Sequence, residues 1–317
     1  MRLIYTMHMP LFMGICGYFF CRSVRKFPSV KSYVQHKLLK RLLGLIIPMM
    51  SFGLLKVLLD IAMGKEMAGA VRFLKEWYWA AKGVWFLGDI AVNTLIVLLV
   101  LHFCTGRFRQ DWKYFLLALP LTFTPYISYK SPHMYLYFVL GYWVAAYLPG
   151  EVKRFLPLGK YALGLFLIAY LAFSNMPWPP EDVWFDYHQQ SVTRLAVNDS
   201  LKVILGITGT FVAIVVIYRL LPYIHQHSWF YSRAAIGGRF TLDIYLLQIL
   251  FVEKIAGTLH KNWVAGGGVD IFNSNFAGRI LMTLVAAWVL MELLSILSHW
   301  LNRNRILAKV LFYRDVS

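Results

Sequence analysis

The chain is poor in charge and poorer still in acid. Only 15% of its 317 residues are charged, and 15 Asp and Glu stand against 32 Lys and Arg. A soluble domain carries about a quarter charged residues, so an ordinary soluble composition is excluded. Cysteine is scarce too. Cys16, Cys21 and Cys104 show no metal-ligand spacing, which argues against a zinc site or a disulfide framework. The segment from Leu3 to Cys21 contains His8 and Pro10 and is not followed by a small-residue cleavage site, so it does not read as a signal peptide. No internal repeat, low-complexity tract or second domain stands out, and 1–317 reads as a single integral-membrane domain.

What the chain does have is apolar sequence: 59% of residues are hydrophobic and 17% aromatic. Apolar runs fall at Leu3–Cys21, Leu42–Met63, Val84–Cys104, Tyr114–Ile127, Met134–Leu148, Tyr161–Met176, Leu201–Leu221, Leu242–Thr258 and Ile280–Leu301. A span needs about 20 such residues, and most of these runs reach or approach that length. Those at 114–127 and 134–148 are short, and Pro120 and Pro125 interrupt the first, so the pair reads as broken or re-entrant. In lipid every backbone polar group must be satisfied within the segment. The expected fold is therefore all-α, a polytopic membrane bundle of about nine helices. The 11 Trp and 19 Tyr suit two interfacial belts.

The Lys and Arg residues sort by loop. Segments 22–41, 105–113, 150–160, 219–241 and 302–317 hold 20 of them, and the intervening 64–83, 128–133, 178–200 and 259–278 hold 7. The positive-inside rule puts the first set, and with it the C-terminus, in the cytoplasm of an inner-membrane protein. The net charge of +17 is thus a topological signal and does not point to nucleic acid. Nine crossings with a cytoplasmic C-terminus leave the N-terminus outside, yet only two residues precede the first run. The expectation is a preceding helix, and ten in a complete protein.

The densest basic segment carries Arg22, Arg25, Lys26, Lys31, Lys37, Lys40 and Arg41, with His36 and no acid. Arg grips phosphate bidentately and Lys meets it as a point charge, so these residues suit an anionic cofactor with several phosphates. Attraction to anionic lipid is the alternative reading. Polar groups also enter the apolar runs. His8 is a candidate general base, or a side chain bonded to a carbonyl near Pro10. Lys56 and Asp60 share a helix face, as do Asp89 and Asn93. Asp243, Gln248, Glu253, Lys254 and Glu292 lie in or beside later runs.

Several blocks resemble the acyltransferase 3 family, in the subset of membrane sugar O-acetyltransferases such as fucose 4-O-acetylase. His8-Met9-Pro10-Leu11-Phe12 with Gly17-Tyr18-Phe19 resembles the family's second helix. Lys40-Arg41-Leu42-Leu43 with Pro48 resembles its cytoplasmic loop and third-helix start. Trp85-Phe86-Leu87 is similar to a further block. Gly238-Arg239-Phe240-Thr241-Leu242-Asp243-Ile244-Tyr245-Leu246-Leu247-Gln248 resembles a late block that usually ends in His, where this chain has Gln248.

The resemblance implies a ten-helix enzyme that moves an acyl group, commonly acetyl, from cytoplasmic acyl-CoA to a hydroxyl of a cell-surface glycan or lipid-linked sugar. It implies acetyl-CoA or another acyl-CoA as donor and no metal. The family's catalytic His and partner Arg lie in its first helix, which has no counterpart here; Arg2 and His8 belong to the next. The candidate site residues of this chain are His8, as a base or a side chain shaping the acyl-CoA tunnel and not the equivalent of the family's catalytic His, with Arg22, Arg25, Lys26, Lys37, Lys40 and Arg41 on the CoA phosphates. Trp178, Trp184, Tyr187 and His188 are candidates for stacking on sugar rings or for interfacial anchoring. A transporter or flippase of glycan precursors is the rival reading, although it would be expected to show two related halves. An inactive truncated remnant of the acyltransferase is the third.

Overall fold

A computed structural model describes residues 2–67, 69–103, 111–118, 120, 133–148, 152–174, 192–226, 229, 231–232, 241–251 and 276–313. They are almost wholly helical, with no strand among the described residues. The chain is an all-α membrane helix bundle. Among the described residues three helices are long and apolar enough to cross a membrane: Val30–Ala62, Trp85–Phe103 and Ser200–Leu220. Shorter apolar helices run over Met9–Val24, Met134–Tyr147, Leu156–Ala172 and Thr241–Phe251. The contacts divide the chain into two compact units, one of residues 1–39 and 89–223, the other of 40–88 and 224–317.

In the first unit α1 (Arg2–Val24) packs on α7 (His133–Tyr147). Glycines set the approach. A side chain at Gly17 would collide with the Phe138 carbonyl, and one at Gly141 with the Gly14 carbonyl. Lipid supplies no hydrophobic drive between helices, so close backbone packing over small residues does that work. Below the glycines, Phe20 meets Phe138 at 5.5 Å and Tyr142 at 6.2 Å between ring centroids. The short α6 (Asp111–Ala118) joins through Phe115, 5.6 Å from Tyr142, and through its carbonyl, which accepts from the Tyr135 hydroxyl at 3.2 Å. Tyr137 reaches α10 (Val192–Gln226), donating to the Lys202 carbonyl at 3.1 Å over a gap left by Gly206. After the short α8 (Val152–Phe155), α9 (Gly159–Ser174) sets Phe166 and Ala169 against Leu205 of α10.

In the second unit α3 (Leu39–Ala62), from Lys40 onward, is paired with α4 (Ala70–Gly83). Gly53 lies on the backbone of Ala81, and the Trp77 indole donates to the Met50 carbonyl at 2.9 Å. The first turn of α5 (Trp85–Phe103) adds Phe86, 5.6 Å from Tyr245 on α11 (Thr241–Gln248). The long α12 (Phe276–Arg303) ends at Asn304, whose side chain accepts from the amides of Ile306 and Leu307 at 3.0 and 3.2 Å. That cap starts α13 (Arg305–Phe312), which returns to α3. Ser51 donates to the Val310 carbonyl at 2.6 Å, and Phe52 meets Phe312 at 5.8 Å.

Three segments read as loops from the sequence are corrected. The connection at 64–83 contains α4, a 14-residue helix. The connection at 22–41 is helical from Val30, through α2 (Val30–Tyr33) and a five-residue π turn, into α3. The C-terminal segment contains α13. All three are amphipathic or basic, so no apolar run announces them. The apolar run at 201–221 belongs to a longer helix, because polar residues on both sides continue the same turns. Of the run at 114–127, α6 covers the start, and the rest, apart from Pro120, lies outside the described residues.

Candidate functional site

The basic segment is a built turn. At the end of α1 the Arg25 amide donates to the Cys21 carbonyl at 3.0 Å, and that of Phe27 to Val24 at 3.1 Å. Ser29 then caps α2, its hydroxyl accepting from the Ser32 amide at 3.1 Å. Tyr33 closes the turn. It is fully buried and stands edge-on to Phe20 at 5.9 Å and to Phe27 at 5.4 Å. Burying one aromatic ring removes roughly 150–250 Å² from water, enough to hold so short a turn.

Around this knot Arg22, Arg25, Lys26, Lys31 and Lys37 are exposed. The Arg22 guanidinium lies 5.9 Å from the centre of the Tyr18 ring. His36 is spent locally, donating from Nδ1 to the Ser32 carbonyl at 2.8 Å. Arg22, Arg25, Lys26 and Lys37 thus belong to one compact unit folded about Tyr33. Lys40, exposed, and Arg41, half-buried, continue the same helical run but belong by their contacts to the second unit. The first acid in the chain is Asp60, so the turn holds positive charge with no acid of its own.

His8 lies on α1, and its side chain is outside the described residues. Fourteen residues separate it from Arg22, about 21 Å along the axis. The structure therefore does not gather the expected base and the expected cations into one cluster. They occupy opposite halves of one helix.

Between those halves α5 presents polar groups toward the first unit's interior. Asp89, Asn93 and Thr94 are 5%, 4% and 0% exposed, while Leu95 and Leu99 on the other side of α5 are exposed. Asn93 donates from Nδ2 to the Met13 sulfur at 3.7 Å. Thr94 has no hydrogen-bond partner among the described residues. Buried polar groups at mid-span are costly in lipid and mark functional paths by default. The Asp89–Asn93 spacing was readable from sequence. Met13 was not, since a thioether reads as apolar packing, and neither was Thr94, whose hydroxyl carries no periodic signal.

A second buried polar group lies in the other unit. Asp243 is fully buried, and its Oδ2 accepts from Ser298 at 2.7 Å and from Asn302 at 3.0 Å, tying α11 to α12. The Asn302 amide also donates to the Ser298 carbonyl at 2.8 Å. Ser298 and Asn302, four apart on one helix, were missed; their spacing was the available signal. Gln248 ends α11, and Glu292 is half-buried on α12. Glu253, Lys254, Trp178, Trp184, Tyr187 and His188 lie outside the described residues.

Comparison with known proteins gives one family match. The family model described as an acyltransferase domain, acyltransferase 3, covers residues 1–298. No curated protein and no solved structure matches the chain. With nearly the whole chain inside that match and a helical membrane fold around it, this protein belongs to the acyltransferase 3 family and is a membrane acyltransferase.

Proposed function

We propose that this acyltransferase takes an acyl group, acetyl in the first instance, from cytoplasmic acyl-CoA and esterifies a hydroxyl of a cell-surface glycan or lipid-linked sugar. The observation that carries the reading is the arrangement along α1. A cationic turn stands at one end, a buried polar seam at the middle, and the only histidine of the helix in the other half. The CoA phosphates sit on Arg22, Arg25, Lys26 and Lys37, with Lys40 and Arg41 continuing the charge. The extended pantetheine arm follows α1 inward, covering a distance on the order of the 21 Å between Arg22 and His8.

At the thioester the acceptor hydroxyl loses its proton to His8 as its oxygen attacks the acyl carbon. The carbon–sulfur bond breaks, the carbon–oxygen ester forms, and the proton passes to the departing sulfur, giving CoA thiol. Asn93 and Thr94 at the middle of α5, with Asp89 one turn nearer its start, hold the polar ends of the arm or the acceptor. In this reading the cationic turn and the C-terminus face the cytoplasm of the inner membrane, which the bias of Lys and Arg among the loops supports.

Membranes carrying the protein and its host's glycans, given radiolabelled acetyl-CoA, test the reaction. The expected result is label in the glycan or lipid-linked sugar fraction and one free CoA thiol per ester. A well-expressed protein that moves unmodified sugar-lipid across the bilayer, with no ester formed, would overturn it. For the orientation, cysteine placed at Lys31 should resist a membrane-impermeant reagent in intact cells and react once the membrane is opened.

A further inference from the structure

α4 is a surface helix in a chain whose solvent is lipid. It joins two spans: residues 63–69 connect it to α3, and Val84 alone separates it from α5. Its 14 residues extend about 21 Å and carry Arg72, Lys75, Glu76 and Lys82, too short and too charged to cross. One face is fixed to α3 through Trp77 on the Met50 carbonyl and Ala81 on Gly53. The flank beside that face bears exposed apolar side chains. Val71 is 82% exposed, Leu74 55% and Tyr78 57%. Residues 71, 74 and 78 share one stripe of a helix.

Three further features decide what covers it. Leu58, Ile61 and Met63, at the adjoining end of α3, are likewise exposed, so this flank continues the outward surface of a membrane span. The cations border this stripe: Lys75 and Lys82 lie beside Val71 and Tyr78 on the helix, with Arg72 next round. Glu76, the one acid of α4, is engaged by Lys65 at 2.9 Å. Finally, the Lys82 ammonium lies 5.0 Å from the Trp79 ring centre and 5.8 Å from that of Tyr78. Aromatic rings flanked by snorkelling cations are the chemistry of the headgroup layer.

We propose that α4 lies flat in the membrane interface. Val71, Leu74 and Tyr78 sink among the upper acyl chains, and Arg72, Lys75 and Lys82 bind the phosphates of anionic phospholipids. α4 then acts as a float that sets the depth of the α3–α5 connection. This depends on the membrane fold and not on the acyl transfer proposed above, and it holds for either leaflet.

The full chain, with its three native cysteines replaced by serine, is reconstituted in vesicles of equal parts phosphatidylcholine and phosphatidylglycerol. A polarity-sensitive fluorophore is placed on Val71→Cys, Leu74→Cys or, as a solvent control, Glu66→Cys. The expected result is blue-shifted emission at 71 and 74, quenched at least about twofold more by lipid spin-labelled near the headgroup than at the control site. Lys75→Gln with Lys82→Gln should reduce that quenching in the mixed vesicles and have less effect in pure phosphatidylcholine. Emission at 71 and 74 as red and unquenched as at 66 would overturn the inference. Disulfide dimers forming through Cys at 71 would also overturn it, placing a second copy of the chain on this face.

Discussion

The Asn93 amide of α5 meets the Met13 sulfur of α1 at 3.7 Å, and Met13 is the central residue of α1 while Asn93 is one residue from the centre of α5. An amide–thioether bond is weak, so the contact is a poor reason to keep an amide in the middle of a span. Polar pairs between membrane helices average roughly 0.6 kcal/mol. Asn93→Val, branched and only modestly larger, should therefore shift the melting temperature in detergent by only a few degrees. Acyl transfer should fall by about tenfold or more if the amide orients a bound group. A variant with full turnover would reduce the seam to packing.

The α1–α7 contact is stricter. Gly17 has no room for a methyl group because the Phe138 carbonyl already occupies the place. Gly17→Ala should force the helices apart and destabilise the protein by about 1–3 kcal/mol, the usual range for overpacking. Gly164 on α9 is the control, since an added carbon there meets nothing within 4 Å. Gly164→Ala should be neutral or slightly stabilising, because alanine is the better helix former. Size-exclusion profiles after a heat step would separate the two.

Asp243 gives a third expectation. Its carboxylate is fully buried and held at Oδ2 by Ser298 and Asn302. Ser298→Ala removes the shorter of the two bonds and should cost about 1–3 kcal/mol, the range for a buried polar group stripped of a donor. Asp243→Asn keeps the shape and should fold, with a lower melting temperature. Thermal unfolding of both variants checks this, and a Ser298→Ala protein that melts with the wild type would show the bond to be idle.

These three sites differ in how far the sequence announced them. The long apolar runs that became α1, α3 and α5 were readable because lipid demands length and hydrophobicity together. α4 was not: Val71, Leu74 and Tyr78 are separated by Arg72, Lys75 and Glu76, so no window is apolar enough to attract notice. Asp89 with Asn93 was readable by helical spacing, whereas Met13 and Ser298 only acquire meaning once two helices are placed side by side. The basic residues between α1 and α3 were all visible, but not the turn that organises them, because its cause is the burial of Tyr33 between two phenylalanines distant enough in sequence to leave no pattern.

That turn carries the last prediction. Tyr33 is fully buried and is packed by Phe20 from α1 and Phe27 from the turn itself. Without the ring, Arg25 and Lys26 would hang on a short flexible segment beyond α1, since exposed cations repel one another and no acid sits among them. Ordering several long basic side chains costs about 1 kcal/mol or more each on binding, and a preformed turn lowers that cost. Tyr33→Ala should weaken acyl-CoA binding by about tenfold, with the loss concentrated in affinity. Tyr33→Phe keeps the packing and should bind nearly as wild type. Lys40→Ala with Arg41→Ala should also weaken binding and flatten its dependence on salt, because fewer phosphate contacts remain to be screened. Titration of acyl-CoA into detergent-solubilised protein at two salt concentrations reads all three. Equal affinity in Tyr33→Ala and wild type would show that the cations need no scaffold. An unchanged salt dependence in the double variant would take Lys40 and Arg41 out of the donor site.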